Sequence, residues 1–467
     1  MDITLSLTIT DGDKSVIEQQ IIQLSKSFRP DELIGLSLAE SKRLLKTLQQ
    51  QIVELQANQY IKSQKQCPCC EKKRRLKEHR NLYYRTVFGI VSLSSPRLYF
   101  CSCEKRNRKS FSVLSQWLPE PISPELQYLE AKWASLMSYN LTAERLKDVL
   151  PIGDSLNAST IRNHLTKVAR RQDGELEGKA GHITGSPRLW SELPKPGKPI
   201  TLGIDGGYLR QWDDKAKNFE VIVGCSIPKQ ETPKKFGYVQ SVDDNPRRRI
   251  VEVLKSQGMQ ENQQVVFLSD GADNLRTAQM AMYPESEHVL DWFHVTMRLT
   301  VLKQFAKGMI HTDAKTGQLL LELLSSTKWY LWHGNFVKAL ELVEDCCLEA
   351  SEPTITYGNV KAFAKKLDEF HTYINNNSPM IPNYGEKWRY SETITTAFVE
   401  STVNEVVAKR MVKKQQMQWS PKGAHAMLQT RTATLNGELN QHFERWYPGF
   451  PIANDESHDL HEVKLAA

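Results

Sequence analysis

Apolar and polar positions change period several times along the chain, and each change predicts an element. Residues 38–62, LAESKRLLKTLQQQIVELQANQYIK, place apolar side chains at helical spacing with few β-branched residues, predicting one helix that helps a dimer form. NLYYRTVFGIVSLSSPRLYF, 81–100, alternates as two short strands do. Residues 140–171 hold two helical patterns, the first from a Thr142 cap followed by Glu144 to near Pro151. The second, NASTIRNHLTKVARR, opens at a capping Asn157 ahead of Ile161, Leu165 and Val168. GSPRLWSELPKPGKP, 185–199, is rich in Pro and Gly and reads as a linker.

Beyond it, ITLGIDGGYLRQW, FEVIVGCSIP and FGYVQSV read as an antiparallel meander of three strands. DNPRRRIVEVLKSQG is a helix with Pro246 in its first turn, and QVVFLSDGADNLR is an apolar strand ending at Asp270. EHVLDWFHVTMRLTVLKQF adds a short strand feeding a helix. The order β-β-β-α-β-α-β-α is that of the ribonuclease H fold, whose first and fourth strands are parallel neighbours. That arrangement would set Asp205 and Asp270 side by side at one sheet edge.

At 467 residues, with 40% hydrophobic and 25% charged residues, the chain has a globular balance and room for two to four domains. No apolar run approaches the roughly 18 residues of a membrane span, and no secretory signal is evident, so the expected location is cytoplasmic, on the nucleoid when bound. The net charge of +7 is unevenly placed: residues 61–110 carry 14 Lys and Arg against 3 Glu, leaving the remainder net acidic. Such a patch suits a polyanion such as double-stranded DNA, with Lys72, Lys73, Arg74 and Arg75 as candidate contacts; a solvated charged surface is the alternative. In the second helical pattern Ser159, Thr160, Arg162 and Asn163 face outward, as in a helix-turn-helix, though an ordinary helical hairpin shows most of the same pattern.

Eight cysteines in a chain this long point to metal rather than a disulfide framework. Cys67 and Cys70 form a CxxC knuckle, and Cys101 and Cys103 close a four-thiolate Zn²⁺ site from the far end of the ribbon, with Cys69 as a competing thiolate. Two adjacent carboxylates, Asp205 and Asp270, repel unless a cation lies between them, and Mg²⁺, with Mn²⁺ as a substitute, is the natural occupant. A third carboxylate should come from TTAFVESTVNEVVAKRM, whose Val399, Val403, Val406 and Val407 form an apolar stripe. At about 100° per residue, Glu400 falls roughly 20° from Val407 and Glu405 about 160° away, so Glu400 is expected to face the sheet and Glu405 solvent.

GIDGGY, LSDGADNLR, LDWFHVTMRL, TTAFVESTVNEVVAKRM and MQWSPKGAHAMLQTR, in this order over roughly residues 190–440, resemble the DDE transposases of bacterial insertion sequences, most of all the ISKra type, related to the Mutator-like group. The resemblance implies catalysis by Asp205, Asp270 and Glu400 holding two Mg²⁺ ions, with Asp291 and His294 of DWFH in support. It further implies cleavage and strand transfer at transposon ends, action on end and target DNA, and a homodimer or higher homo-oligomer on that DNA. Arg410, Lys413 and Lys414, and also Lys409 and Arg431, are candidate phosphate contacts or solvated charges. The 130 residues from Asp270 to Glu400 should carry a helical insertion, in which Trp329, Trp332 and His333 read as core more readily than as base-stacking residues. A ribonuclease H-like nuclease without strand transfer, or an inactive or domesticated DNA-binding protein, would keep many of the same features.

The expected organisation is an N-terminal helical region (1–62), a DNA-binding zinc ribbon (63–115), a helix-turn-helix-like segment (116–184) and the linker (185–199). The ribonuclease H-like core (200–298) follows, then the insertion (299–390), the final core helices (391–445) and a tail (446–467).

Overall fold

The computed structural model describes all residues except 12–13, 28–33, 105–108, 180–192, 194–196, 215, 229–231, 354, 413–417 and 451–467, and the side chains of 9–18. Most of the expected linker, Lys413, Lys414 and most of the tail therefore lie outside the described residues. The chain forms two compact units, Met1–Ala169 with Gly437–Ala467, and Arg170–Asn436.

In the first unit, β1 (Asp2–Asp11) and β2 (Lys14–Ser25) form an antiparallel hairpin, so the region expected to be helical throughout begins with strands. Helix α1 (Leu38–Gln64) starts in a capping box in which Ser37 and Glu40 satisfy each other's backbone N–H groups. Its Val53, Ala57, Tyr60 and Ile61 pack on Val91 and Leu93 of β4 (Gly89–Tyr99), so the stripe assigned to dimer formation is covered by the chain's own ribbon. β4 pairs with β3 (Leu76–Thr86) and β5 (Ser110–Ser112), and α2 (Val113–Trp117), α3 (Pro124–Leu136), α4 (Tyr139–Val149) and the part of α5 (Ala158–Glu175) up to Ala169 follow. The cap of α4 is Ser138; Thr142 lies inside the helix, fully buried, its hydroxyl donating to the Ser138 carbonyl. The expected Asn157 cap does receive the Thr160 N–H, at 3.0 Å.

The second unit is mixed α/β around a five-stranded sheet. β6 (Ile200–Arg210), β7 (Asn218–Ile227) and β8 (Lys234–Val239) form the antiparallel meander, and β9 (Val265–Ser269) lies parallel to β6 with β10 (Glu287–Leu290) parallel beyond it. The order across the sheet is β10-β9-β6-β7-β8. The two-residue period of β6 sends Ile200, Leu202 and Ile204 to one face, where they pack with Ile250, Val251 and Leu254 of α6 (Arg247–Ser256) and Leu275 and Met282 of α7 (Asp273–Met282).

Helices α8 (Trp292–Met309), α9 (Ala314–Trp332), α10 (Phe336–Ala350) and α11 (Val360–Asn376) bury a second core joined to Leu268, Val289 and Leu290 of the sheet. Trp332 packs 5.2 Å from Trp292 in this core, whereas Trp329 is 58% exposed against His333, so the three residues read together divide between two environments. Short α12 (Tyr384–Arg389) leads to α13 (Ala397–Val403), which continues as a π-helix over Asn404–Val412 before α14 (Pro421–Leu435). The last helix, α15 (Leu439–Trp446), belongs to the first unit and not with the core helices expected around it: Phe443 meets Tyr128 of α3 edge-on at 5.4 Å. Among the described residues no helix is long and apolar enough to cross a membrane.

Candidate active site and thiolate centre

Asp205 shares its strand face with Gly203 and Gly207, and this face receives α13. A Cβ on Gly203 would lie 2.2 Å from Val399 Cγ2 and 2.6 Å from Phe398 Cζ; one on Gly207 would lie 3.7 Å from Val403 Cγ1. The two glycines let the helix rest directly on the strand on either side of the acid. Gly206 points to the opposite face, toward Glu220 Oε1, and its N–H donates to Asp205 Oδ1 at 2.8 Å.

Asp270 follows β9, on the strand beside β6. Its Oδ1 accepts from Ala272 N–H at 3.1 Å, and Gly271 between them sits at φ +89° with no room for a side chain against Asn377. The Tyr373 hydroxyl of α11 donates to the Asp270 carbonyl at 3.0 Å, and the Arg298 guanidinium lies 4.1 Å over the Tyr373 ring. Helix α11 thus helps fix the Asp270 turn.

Asp291 is fully buried and caps α8 through Phe293 N–H. It also accepts from His294 Nδ1 at 2.6 Å, from Thr396 N–H at 3.0 Å and from the Thr396 hydroxyl. Burial alone would raise its pKa; these hydrogen bonds, led by that of His294, hold it below the ordinary carboxylate value. Thr396 is the residue before α13 and gives its hydroxyl to Asp291 instead of capping its own helix, tying the start of α13 to His294. Sequence reading missed Thr396, Tyr373 and the helix-bearing role of Gly203; the paired threonines before the VES run were the available cue.

The charges of Asp270, Glu400 and His294 act on Asp205, and those of Asp291, Asp205 and Asp270 act on His294. Burial lifts Asp205 above its ordinary range, the Gly206 N–H and His294 pull it down, and Asp270 and Glu400 push it up again. The Asp291 hydrogen bond raises His294 against the effect of burial, and the charges of Asp291, Asp205 and Asp270 add to the rise. Glu400 is exposed at the edge of α13, while Val399 beside it is fully buried. Glu405 is half-buried and pairs with Lys235 at 2.8 Å. The uniform 100° rotation does not extend past Val403, because the π-helix takes more residues per turn. Arg431 of α14 satisfies carbonyls of that stretch, donating from Nε to Val406 at 2.8 Å and from Nη2 to Glu405 at 2.5 Å.

The three acids offer only hard oxygen donors, the kind Mg²⁺ takes, and a cation would relieve the push of Asp270 and Glu400 on Asp205. Their ligand oxygens are not drawn together as tightly as those of the cysteines. Cys67, Cys70, Cys101 and Cys103 form the one group of three or more potential metal ligands among the described residues whose atoms all lie within 4.8 Å of one another.

Within that group Cys67 and Cys103 Sγ are 3.3 Å apart and Cys70 and Cys101 Sγ 3.4 Å, close to the separation of about 3.8 Å in a tetrahedral zinc site with bonds of about 2.3 Å. The Cys103 N–H lowers the Cys101 thiol to about 6, and the Cys69 N–H lowers Cys67; Cys69 itself is exposed and outside the quartet. The thiols and their spacing suit zinc.

The candidate DNA contacts divide by burial. Lys72, Lys73 and Arg75 are exposed, but Arg74 turns inward, 2.7 Å from Glu104, which also receives the Cys101 N–H. Ser159, Arg162 and Asn163 are exposed, while the Thr160 hydroxyl joins the Asn157 cap. Arg410 is only 4% exposed, its guanidinium 5.4 Å over the Trp419 ring, and is as poorly placed for DNA as the buried Arg431. A groove of 1390 Å³ on β3–β5, lined by Arg80, Tyr83, Arg85 and Arg97 among others, was not foreseen.

No family model and no curated protein matches the chain. Among solved structures, the Drosophila P element transposase strand transfer complex is similar at a TM-score of 0.32 and 9% identity, over 68% of this chain and 93% of that one. A likeness this slight carries no argument about fold or function.

Proposed function

We propose that the chain is a DDE transposase of a bacterial insertion sequence, with a ribonuclease H-like catalytic core that cleaves the element's ends and joins them to target DNA. The observation that carries this reading is the placing of Asp205 on β6 and of Asp270 directly after the parallel neighbouring strand β9, with Asp205 within electrostatic reach of Asp270, Glu400 and His294. Asp205, Asp270 and Glu400 would hold Mg²⁺, which when bound supplies the charge that activates a water or 3′-hydroxyl and stabilises the leaving oxygen. His294, oriented through Nδ1 by Asp291 and acted on by the charges of Asp205 and Asp270, would position the scissile phosphate. The ribbon and the helical segment would hold the DNA through exposed Lys72, Lys73, Arg75, Arg162 and Asn163, with Arg80 and Arg85 in the groove.

Asp205→Asn, Asp270→Asn and Glu400→Gln should each lower cleavage of a duplex carrying the terminal repeats by about 10³-fold or more, with end binding retained. Glu405→Gln, which removes a charge paired with Lys235, should keep cleavage near wild type. Wild-type cleavage by Glu400→Gln would overturn the assignment, and cuts without joined products would mark a nuclease.

A further inference from the structure

Three lysines crowd one side of the helical insertion. Lys303 and Lys307 stand one turn apart on α8, and the Lys303 ammonium donates to Ser325 Oγ of α9 at 3.0 Å, three residues before Lys328. Lys303 is half-buried, and Lys307 and Lys328 are exposed. Among the described residues no carboxylate pairs with any of the three; Glu322, one turn before Ser325 on α9, accepts from Gln318 instead. Burial, then the charges of Lys328 and Lys307, lower the Lys303 pKa, so the cluster bears a repulsive cost within the fold.

Unpaired like charges held together by two packed helices favour a multiply charged anion, since each neutralised phosphate removes repulsion and releases counterions. We propose that Lys303, Lys307 and Lys328 form a phosphate-contacting surface for the backbone of duplex DNA, separate from the ribbon and from the acids. The surface reads no base sequence, because ammonium groups on long stems act as point charges. It rests on the reading of the chain as a DNA-processing enzyme.

The experiment titrates the full chain with a random-sequence duplex at several salt concentrations. In Lys303→Gln/Lys307→Gln/Lys328→Gln, the slope of log K against log salt should become shallower by about 0.9 per lysine. The thermal midpoint should stay level or rise, because repulsion is removed, and the triple Lys→Arg variant should restore the slope. A wild-type slope in the Gln variant, with binding intact, overturns this surface and leaves the enzymatic reading standing. A wild-type chain that binds no duplex overturns both.

Discussion

The two candidate metal-binding groups differ in how far the bare chain assembles them. The four thiols are brought within 4.8 Å of one another, whereas Asp205 senses the charges of Asp270 and Glu400 without such convergence. The cysteines sit in turns just before β3 and just after β4, at the open end of one hairpin, held by local backbone bonds such as Cys67 N–H to the Lys72 carbonyl at 3.0 Å and Glu71 N–H to the Cys67 carbonyl at 2.9 Å. The thiols pair by hydrogen bonds, Cys67 Sγ with Cys103 Sγ and Cys70 Sγ with Cys101 Sγ. The acids come from β6, the end of β9 and the start of α13, and they repel while ionised. Thiol groups close in sequence can be gathered by local chain geometry, while carboxylates drawn from three elements depend on the packing of the whole unit.

The largest effect expected from this comparison is on the ribbon. Zinc held by four cysteines contributes on the order of 10 kcal/mol of folding free energy. Chelation, or Cys67→Ser with Cys70→Ser, should therefore unfold the ribbon, seen as loss of hydrogen-exchange protection over residues 67–103, and should weaken DNA binding, while the sheet of the second unit stays protected. Purified protein carrying no zinc, and a ribbon indifferent to chelator, would erase the contrast between the two groups. Arg74→Ala should weaken the same ribbon by removing the partner of Glu104, whereas Lys72→Ala should leave its stability unchanged.

Periodicity made much of this legible. Helix α1, the three-stranded meander, the strand leading to Asp270 and the cysteine spacing all follow from patterns within single segments, whereas β6 runs five residues past Asp205, expected near the end of its strand. The hairpin Asp2–Ser25 shows the same alternation, with Ile3, Leu5, Leu7 and Ile9 spaced by polar residues, but a terminal pair of polar strands looks like coil until its partner is known. Residue type could not tell which arginines face water: Arg74, Arg410 and Arg431 are held inside by Glu104, by Trp419 and by carbonyls of the π-helix. Nor could a uniform helical rotation anticipate that π-helix, whose carbonyls are satisfied by Arg431 from another helix.

A smaller effect separates the two groups by pH. His288, on the strand beside the one leading to Asp270, pairs through Nε2 with Ser269 Oγ at 2.8 Å, and its Nδ1 is buried without a partner. Burial, aided by Arg276, pushes its pKa down to about 4. The unfolded chain then binds the proton first, so the stability tied to the neutral ring is full above the ordinary value of about 6.5 and is lost as pH falls from there toward 4. The loss approaches about 3 kcal/mol at the acid end. Denaturant melts of the second unit between pH 7 and pH 4.5 should steepen in wild type and flatten in His288→Asn; equal slopes would show that the ring does not govern this window.

The smallest effect tests whether α13 carries the third acid to its place. Gly203→Ala would put a Cβ 2.2 Å from Val399 Cγ2 and 2.6 Å from Phe398 Cζ, so the helix must lift from the strand. Overpacking of this kind costs about 1–3 kcal/mol. Gly207→Ala, whose nearest neighbours lie at 3.4 and 3.7 Å, makes ordinary contacts and should cost far less. Because Glu400 follows Val399 directly, a helix lifted by about 1 Å should lower cleavage by around 10²-fold, more than lost stability explains at temperatures where the variant remains folded. If Gly203→Ala is destabilised yet cleaves as wild type does, α13 supports the fold alone, and the third carboxylate must be sought on another element.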